Sequence, residues 1–102
     1  MELKNKSIEL FGTKWKIKYV ENITDNNGNQ IFGCTNPSTK EIYIAKNMDG
    51  IAISQNEIEL TLLHELTNAI LMTGQYMEES DNEALVEWMA RCVYQLLKKN
   101  II

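Results

Sequence analysis

Polar and apolar positions alternate with a period of two over residues 14–20, where Trp15, Ile17 and Tyr19 are separated by Lys14, Lys16 and Lys18. This is the pattern of a half-buried strand with its lysines in solvent. Residues 7–12 read as a shorter strand that runs into a turn at Gly12-Thr13. Residues 21–30 hold Asn22, Asp25, Asn26, Asn27, Gly28 and Asn29, which is loop chemistry. A second pair of strands is predicted at about 30–35 and 41–46, joined by the turn Asn36-Pro37-Ser38-Thr39, with Ile42 and Ile44 alternating against Glu41 and Tyr43. Residues 47–54 read as a connection.

The period then becomes helical. Ser54-Gln55-Asn56-Glu57 has the form of a capping box, and the helix it opens runs to about Thr73, with Gly74 as its stop. Its middle is apolar almost all the way round, as expected of a buried helix. Leu62, Leu66 and Ala69 point one way, flanked by Leu63 and Ile70, while Thr61, His64, Glu65 and Asn68 share the other stripe. Such a polar stripe lines either a hydrogen-bond network or a site. After a short connection over residues 75–79, Ser80-Asp81-Asn82-Glu83 reads as a second capping box. The helix that follows runs to about Lys99, with Leu85, Trp88, Met89, Cys92 and Leu96 as its core stripe. Strands followed by helices predict a single α+β domain over residues 1–102, with a small antiparallel N-terminal sheet of three to four strands packed on two C-terminal helices.

Composition narrows the function classes. A net charge of −4 argues against a nucleic-acid partner. No run approaches the roughly 18 apolar residues of a membrane span, and the first residues lack the apolar segment of a signal peptide. Cys34 and Cys92 are too few for a disulfide framework and have no CxxC spacing. A cytoplasmic protein with reduced thiols is expected. Trp15, Trp88 and the closing Ile101-Ile102 are candidates for an exposed contact, although no feature fixes the oligomeric state.

The chemistry concentrates at His64-Glu65-Leu66-Thr67-Asn68. His-Glu-x-x-His on a helix places two imidazoles one turn apart on a zinc ion, with the Glu beside them as general base. Here the fifth letter is Asn68, and His64 is the only histidine in the chain. A lone histidine on a core helix is ordinarily a hydrogen-bonded structural residue. A Glu at position 83 is explained by the third position of its capping box, and Glu87 by an i,i+4 pair with Arg91.

These stretches resemble the small phage-encoded relatives of the ImmA/IrrE and SprT-like zinc peptidases. The resemblance is carried by residues 12–17, residues 39–44, the run Thr61-Leu62-Leu63-His64-Glu65-Leu66-Thr67-Asn68-Ala69-Ile70, and residues 82–90. It implies a minimal zincin-like fold in which zinc is held by two histidines of the first helix and a glutamate of the next. On that pattern His64 is a metal ligand, Glu65 the catalytic base and Glu83 the third ligand, with Glu87 one turn on as the alternative. Asn68 stands where the second histidine belongs, with a neutral oxygen and a shorter reach. The resemblance therefore implies weakly bound or absent zinc and weak or lost hydrolysis of a protein or peptide substrate. The alternative is a non-catalytic accessory or regulatory module that keeps the fold and binds a protein partner.

Overall fold

The computed structural model describes residues 3–99. Its strands are β1 (Lys6–Leu10), β2 (Thr13–Val20), β3 (Ile23–Thr24), β4 (Gln30–Ile31), β5 (Gly33–Asn36), β6 (Glu41–Ala45), β7 (Asn47–Met48) and β8 (Ile51–Ala52). The helices α1 (Gln55–Thr73), α2 (Met77–Ser80) and α3 (Glu83–Lys98) follow. This is the expected α+β architecture, an antiparallel-rich sheet of order β1-β2-β6-β5 packed on the C-terminal helices.

One pairing departs from a run of simple hairpins. β1 and β2 are antiparallel through the Phe11-Gly12 turn, and β5 and β6 are antiparallel through the turn at Asn36, whose side chain accepts from the Ser38 and Thr39 amides. β2 and β6, however, are parallel, with Ile17 opposite Ile42 and Tyr19 opposite Ile44. Residues 21–32 lead from the end of β2 to the start of β5 two strand positions away, and the hairpin returns β6 into the gap. The residues read as loop and connection also make two minor ladders, β3–β4 and β7–β8.

The alternation in β2 and β6 sends Trp15, Ile17, Ile42 and Ile44 into a core where each is at most 1% exposed, closed by Ile58 and Ala69 of α1. Trp15 is therefore no surface contact. The other side of α1 is covered by α3 through the fully buried Val86 and Ala90. A helix held between a sheet and a second helix needs apolar residues on both sides, which explains the near-uniform apolarity of α1.

Both ends of α1 have a physical cause. The Ser54 hydroxyl accepts the Glu57 amide at 3.3 Å. At the other end Gln75, with φ 66°, takes the left-handed position. Gly74 is the C-cap, as read from the sequence, and the Gln75 amide donates to Met72 and the Tyr76 amide to Leu71 just beyond it.

Two readings of α3 are corrected. Its cap is Asn82, whose side chain accepts the Leu85 amide at 3.1 Å, while Ser80 is buried at the end of α2 and donates to the Met77 carbonyl. Glu83 is thus the first residue of the helix rather than the third of a capping box. The stripe of Leu85, Trp88, Met89, Cys92 and Leu96 is not the core face either, since Trp88 is 67% and Leu96 42% exposed. The small residues Val86 and Ala90 let α3 approach α1 closely, and they turn the larger side chains outward. Ile101 and Ile102 lie outside the described residues.

Candidate functional site

The polar stripe of α1 lies against β5, the sheet edge nearest the helix. Thr61, Glu65 and Asn68 are all buried there. Thr67, which the stripe did not include, is also buried, its hydroxyl donating to the Leu63 carbonyl at 2.7 Å. The close approach depends on Gly33. A Cβ at that position would sit 2.8 Å from Thr61 Cγ2 and 3.1 Å from Glu65 Cγ.

Glu65 is the buried acid of the site. Thr35 on β5 donates its hydroxyl to Glu65 Oε1 at 2.7 Å and also reaches the Glu65 backbone carbonyl at 3.1 Å. A longer contact from Asn68 Nδ2, at 3.4 Å, meets the same Oε1. Burial holds the Glu65 carboxyl above the usual carboxylate range, and the Thr35 hydrogen bond and His64 work against that rise. A buried acid without such donors would be costly, and Thr35 is the closest of them. Burial also raises the neighbouring Cys34 thiol, with Glu65 adding to the effect. Both Cys34 and Cys92 are free thiols.

His64 stands between two acids of α3. Its Nδ1 is 3.0 Å from Glu87 Oε1 and its Nε2 is 3.1 Å from Glu83 Oε2. Carboxylates only accept, so both contacts are hydrogen bonds in the imidazolium form. A neutral ring protonated at Nδ1 keeps Glu87 and leaves the Nε2 lone pair toward Glu83. Glu87 also takes the Arg91 guanidinium on its other oxygen, as its i,i+4 spacing predicts. The His64 hydrogen bond and Arg91 together hold its carboxyl below the ordinary range.

The structure thus brings His64, Glu65, Asn68 and Glu83 to the wall of one cavity of about 290 Å³, which also contains Thr35 and Gly33. A larger cleft of about 710 Å³ shares His64, Glu65 and Glu83 and extends past Phe32, Leu60 and Glu87. Glu83 reaches this wall because its side of α3, shared with Ala90, faces α1. Thr35 was missed because a lone threonine in a short strand carries no signal until the sheet order puts that strand beside α1.

Among the described residues no group of three or more His, Cys, Asp or Glu side chains is placed to hold a metal ion. Asn68 supplies a neutral donor in addition. Its Oδ1 is buried and has no hydrogen-bond partner, although the side chain lines the cavity with His64 and Glu83. An unpartnered buried carbonyl oxygen is costly, and a cation would satisfy it. One imidazole, one carboxylate and one amide oxygen are donor types that divalent ions accept, with less affinity for zinc than two imidazoles provide. No helix among the described residues is long and apolar enough to cross a membrane. Comparison of the chain with family models, curated proteins and solved structures gave no match.

Proposed function

We propose that the protein is a metallopeptidase-like module of zincin type, of the phage or prophage lineage its motif resembles, with a degenerate His64-Glu65-Leu66-Thr67-Asn68 site. In this reading His64, Glu83 and Asn68 hold zinc weakly, and peptide hydrolysis is weak or lost. The observation that carries the proposal is the set around His64. Glu87 takes Nδ1, as the outer carboxylate does in carboxylate–histidine–metal arrangements, and Nε2 is left toward Glu83 and the cavity. That division of labour favours Glu83 as ligand and Glu87 as the residue that orients the ring.

A bound zinc would polarise a substrate carbonyl and acidify a water. The chain's own residues contribute the rest. Glu65, with its proton affinity raised by burial, is the group placed to take up and release a proton, and Thr35 fixes one of its oxygens. The cleft past Phe32 and Leu60 runs beside β5, whose outer edge pairs with no strand among the described residues, and so suits an extended chain. Asn68 limits this chemistry because its amide oxygen is a harder and weaker donor to zinc than an imidazole nitrogen.

A second reading, a partner-binding module without metal, is favoured by the same ring. With both nitrogens on carboxylates, the protonated His64 forms a closed ionic network with Glu83, Glu87 and Arg91.

The deciding experiment is elemental analysis of protein purified without chelator or added metal, beside Asn68→His. Substoichiometric zinc in the unmodified protein and near-stoichiometric zinc in Asn68→His is the expected result. Any hydrolysis of an unfolded protein substrate should then disappear in Glu65→Gln. Zinc in Asn68→His alone favours the binding module. No metal in either protein overturns the metal-site reading.

A further inference from the structure

α3 leaves its most apolar face uncovered among the described residues. Trp88 is 67% exposed, Val93 and Leu96 are each 42% and Met89 is 36%, with the half-buried Leu85 and Cys92 between them. Their spacing of three and four residues makes one continuous seam along the helix, as in helices that pair with another helix. The opposite side of α3 is already committed to α1 through Val86 and Ala90.

The charges along this segment indicate which partner fits. Glu78, Glu79 and Asp81 lie at its N-terminal end and Lys99 at its C-terminal end, whereas Glu83 and Glu87 are held by His64, Arg91 by Glu87 and Lys98 by Glu59 on the α1 side. A second copy of the same helix laid antiparallel across a twofold axis puts the basic end of each against the acidic end of the other. It also opposes the two helix macrodipoles. With the axis between Ala90 and Arg91, Leu85 meets Leu96 of the second copy, Trp88 meets Val93, and Lys99 faces Asn82 beside Asp81. A parallel pair would stack like charges. An anionic lipid surface would meet the acidic half of the segment and be repelled. The open apolar surface amounts to roughly 400 Å² per protomer, within the range of the largest patch on a typical monomer. Two such faces and their polar rim bury about 1,000 Å² in total, the lower bound for a specific interface.

We infer that the protein forms a twofold-symmetric homodimer through antiparallel pairing of the exposed faces of α3. This does not depend on metal at the His64 cavity, which opens on the other side of the helix.

The test is the mass of the full chain by sedimentation equilibrium over a broad concentration range. The expected result is twice the protomer mass of 11.8 kDa, dissociating on dilution. Trp88 fluorescence should shift to the blue as the dimer forms, while the fully buried Trp15 contributes a constant background. Trp88→Glu and Leu96→Glu, both at exposed positions, should be monomeric with unchanged circular dichroism. Asp81→Lys and Lys99→Asp should each weaken the dimer, and their combination should restore it. A protein of protomer mass at every concentration overturns the proposal, as does a dimer that survives both glutamate substitutions. Failure of the charge pair to restore association overturns the antiparallel arrangement.

Discussion

The Thr35 hydroxyl lies 2.7 Å from Oε1 of Glu65, so the edge strand β5 holds the buried acid of the central helix. The bond joins two layers of the fold and is shorter than the Asn68 contact on the same oxygen. Thr35→Val keeps the shape of the side chain and removes its donor. The expected cost is about 1–3 kcal/mol, the range for leaving a buried polar group unsatisfied. Urea denaturation of the metal-free proteins measures it. A change well below 1 kcal/mol would mean that Glu65 finds water or another donor without difficulty.

The raised proton affinity of Glu65 also has a signature in pH. Burial is the largest cause of the rise, so the folded state keeps the proton to higher pH than the unfolded chain, whose carboxyl has its ordinary value of 4.5. Below 4.5 both states are protonated and the group does not bias folding. As pH rises through 4.5 toward the folded value, the unfolded chain ionises first and the protein loses stability. Above the folded value that loss is complete. Glu65→Gln does not titrate, so it should gain stability relative to the unmodified protein as pH is raised from 4 to 7. Denaturant titrations across that range, in chelator, test the sign. A difference that stays constant with pH contradicts it.

What the sequence disclosed follows from how local each signal is. The alternation over residues 14–20 and 41–46 marks the two central strands, because a period of two survives whatever partner the strand takes. It carries nothing about direction, so the parallel β2–β6 pair could not be read. The stripe of Thr61, Glu65 and Asn68 was legible as buried and polar, and the Glu87–Arg91 pair as an i,i+4 contact. The orientation of α3 was not. Its larger apolar residues suggested the core face, whereas close helix packing selected the smaller Val86 and Ala90. The same mistake hid the position of Glu83, which a capping box appeared to explain.

Asn82 rather than Ser80 therefore carries the start of α3. Asn82→Ala should cost about 1 kcal/mol, the usual effect of losing an N-cap side chain, because the Leu85 amide loses its acceptor. Asn82→Asp should retain most of the stability. Thermal denaturation of the two variants separates them. Equal melting temperatures would remove the role of the side chain in capping.

Gly33 sets how closely α1 approaches β5. Alanine there brings Cβ to 2.8 Å from Thr61 Cγ2, 3.0 Å from the Tyr43 carbonyl oxygen and 3.1 Å from Glu65 Cγ. One of those contacts is backbone in the middle of the sheet, so the helix must move instead. The expected penalty is about 1–3 kcal/mol, as for other overpacked positions. Hydrogen exchange should then report faster opening of the amides around Glu65 than of those in β1.

The two acids around His64 should differ in how strongly they couple to it. The Glu87 side chain is 39% exposed and is held from behind by Arg91, whereas that of Glu83 is 74% exposed. Water screens the second contact more and leaves more side-chain freedom to be lost in making it. Double-mutant cycles with His64→Ala should therefore give about 0.5–1 kcal/mol of coupling to Glu87→Ala, and less to Glu83→Ala. Urea denaturation at pH 6 in chelator measures both cycles. Zinc should reverse the order. Glu83→Gln would replace a charged ligand by a weak neutral one, whereas Glu87→Gln would still accept the Nδ1 proton through its amide oxygen, so zinc affinity in competition titrations should fall further in the first. Equal losses of zinc affinity would contradict the separate roles assigned to the two acids. A stronger apo-state coupling to Glu83 would contradict the ring orientation on which those roles depend.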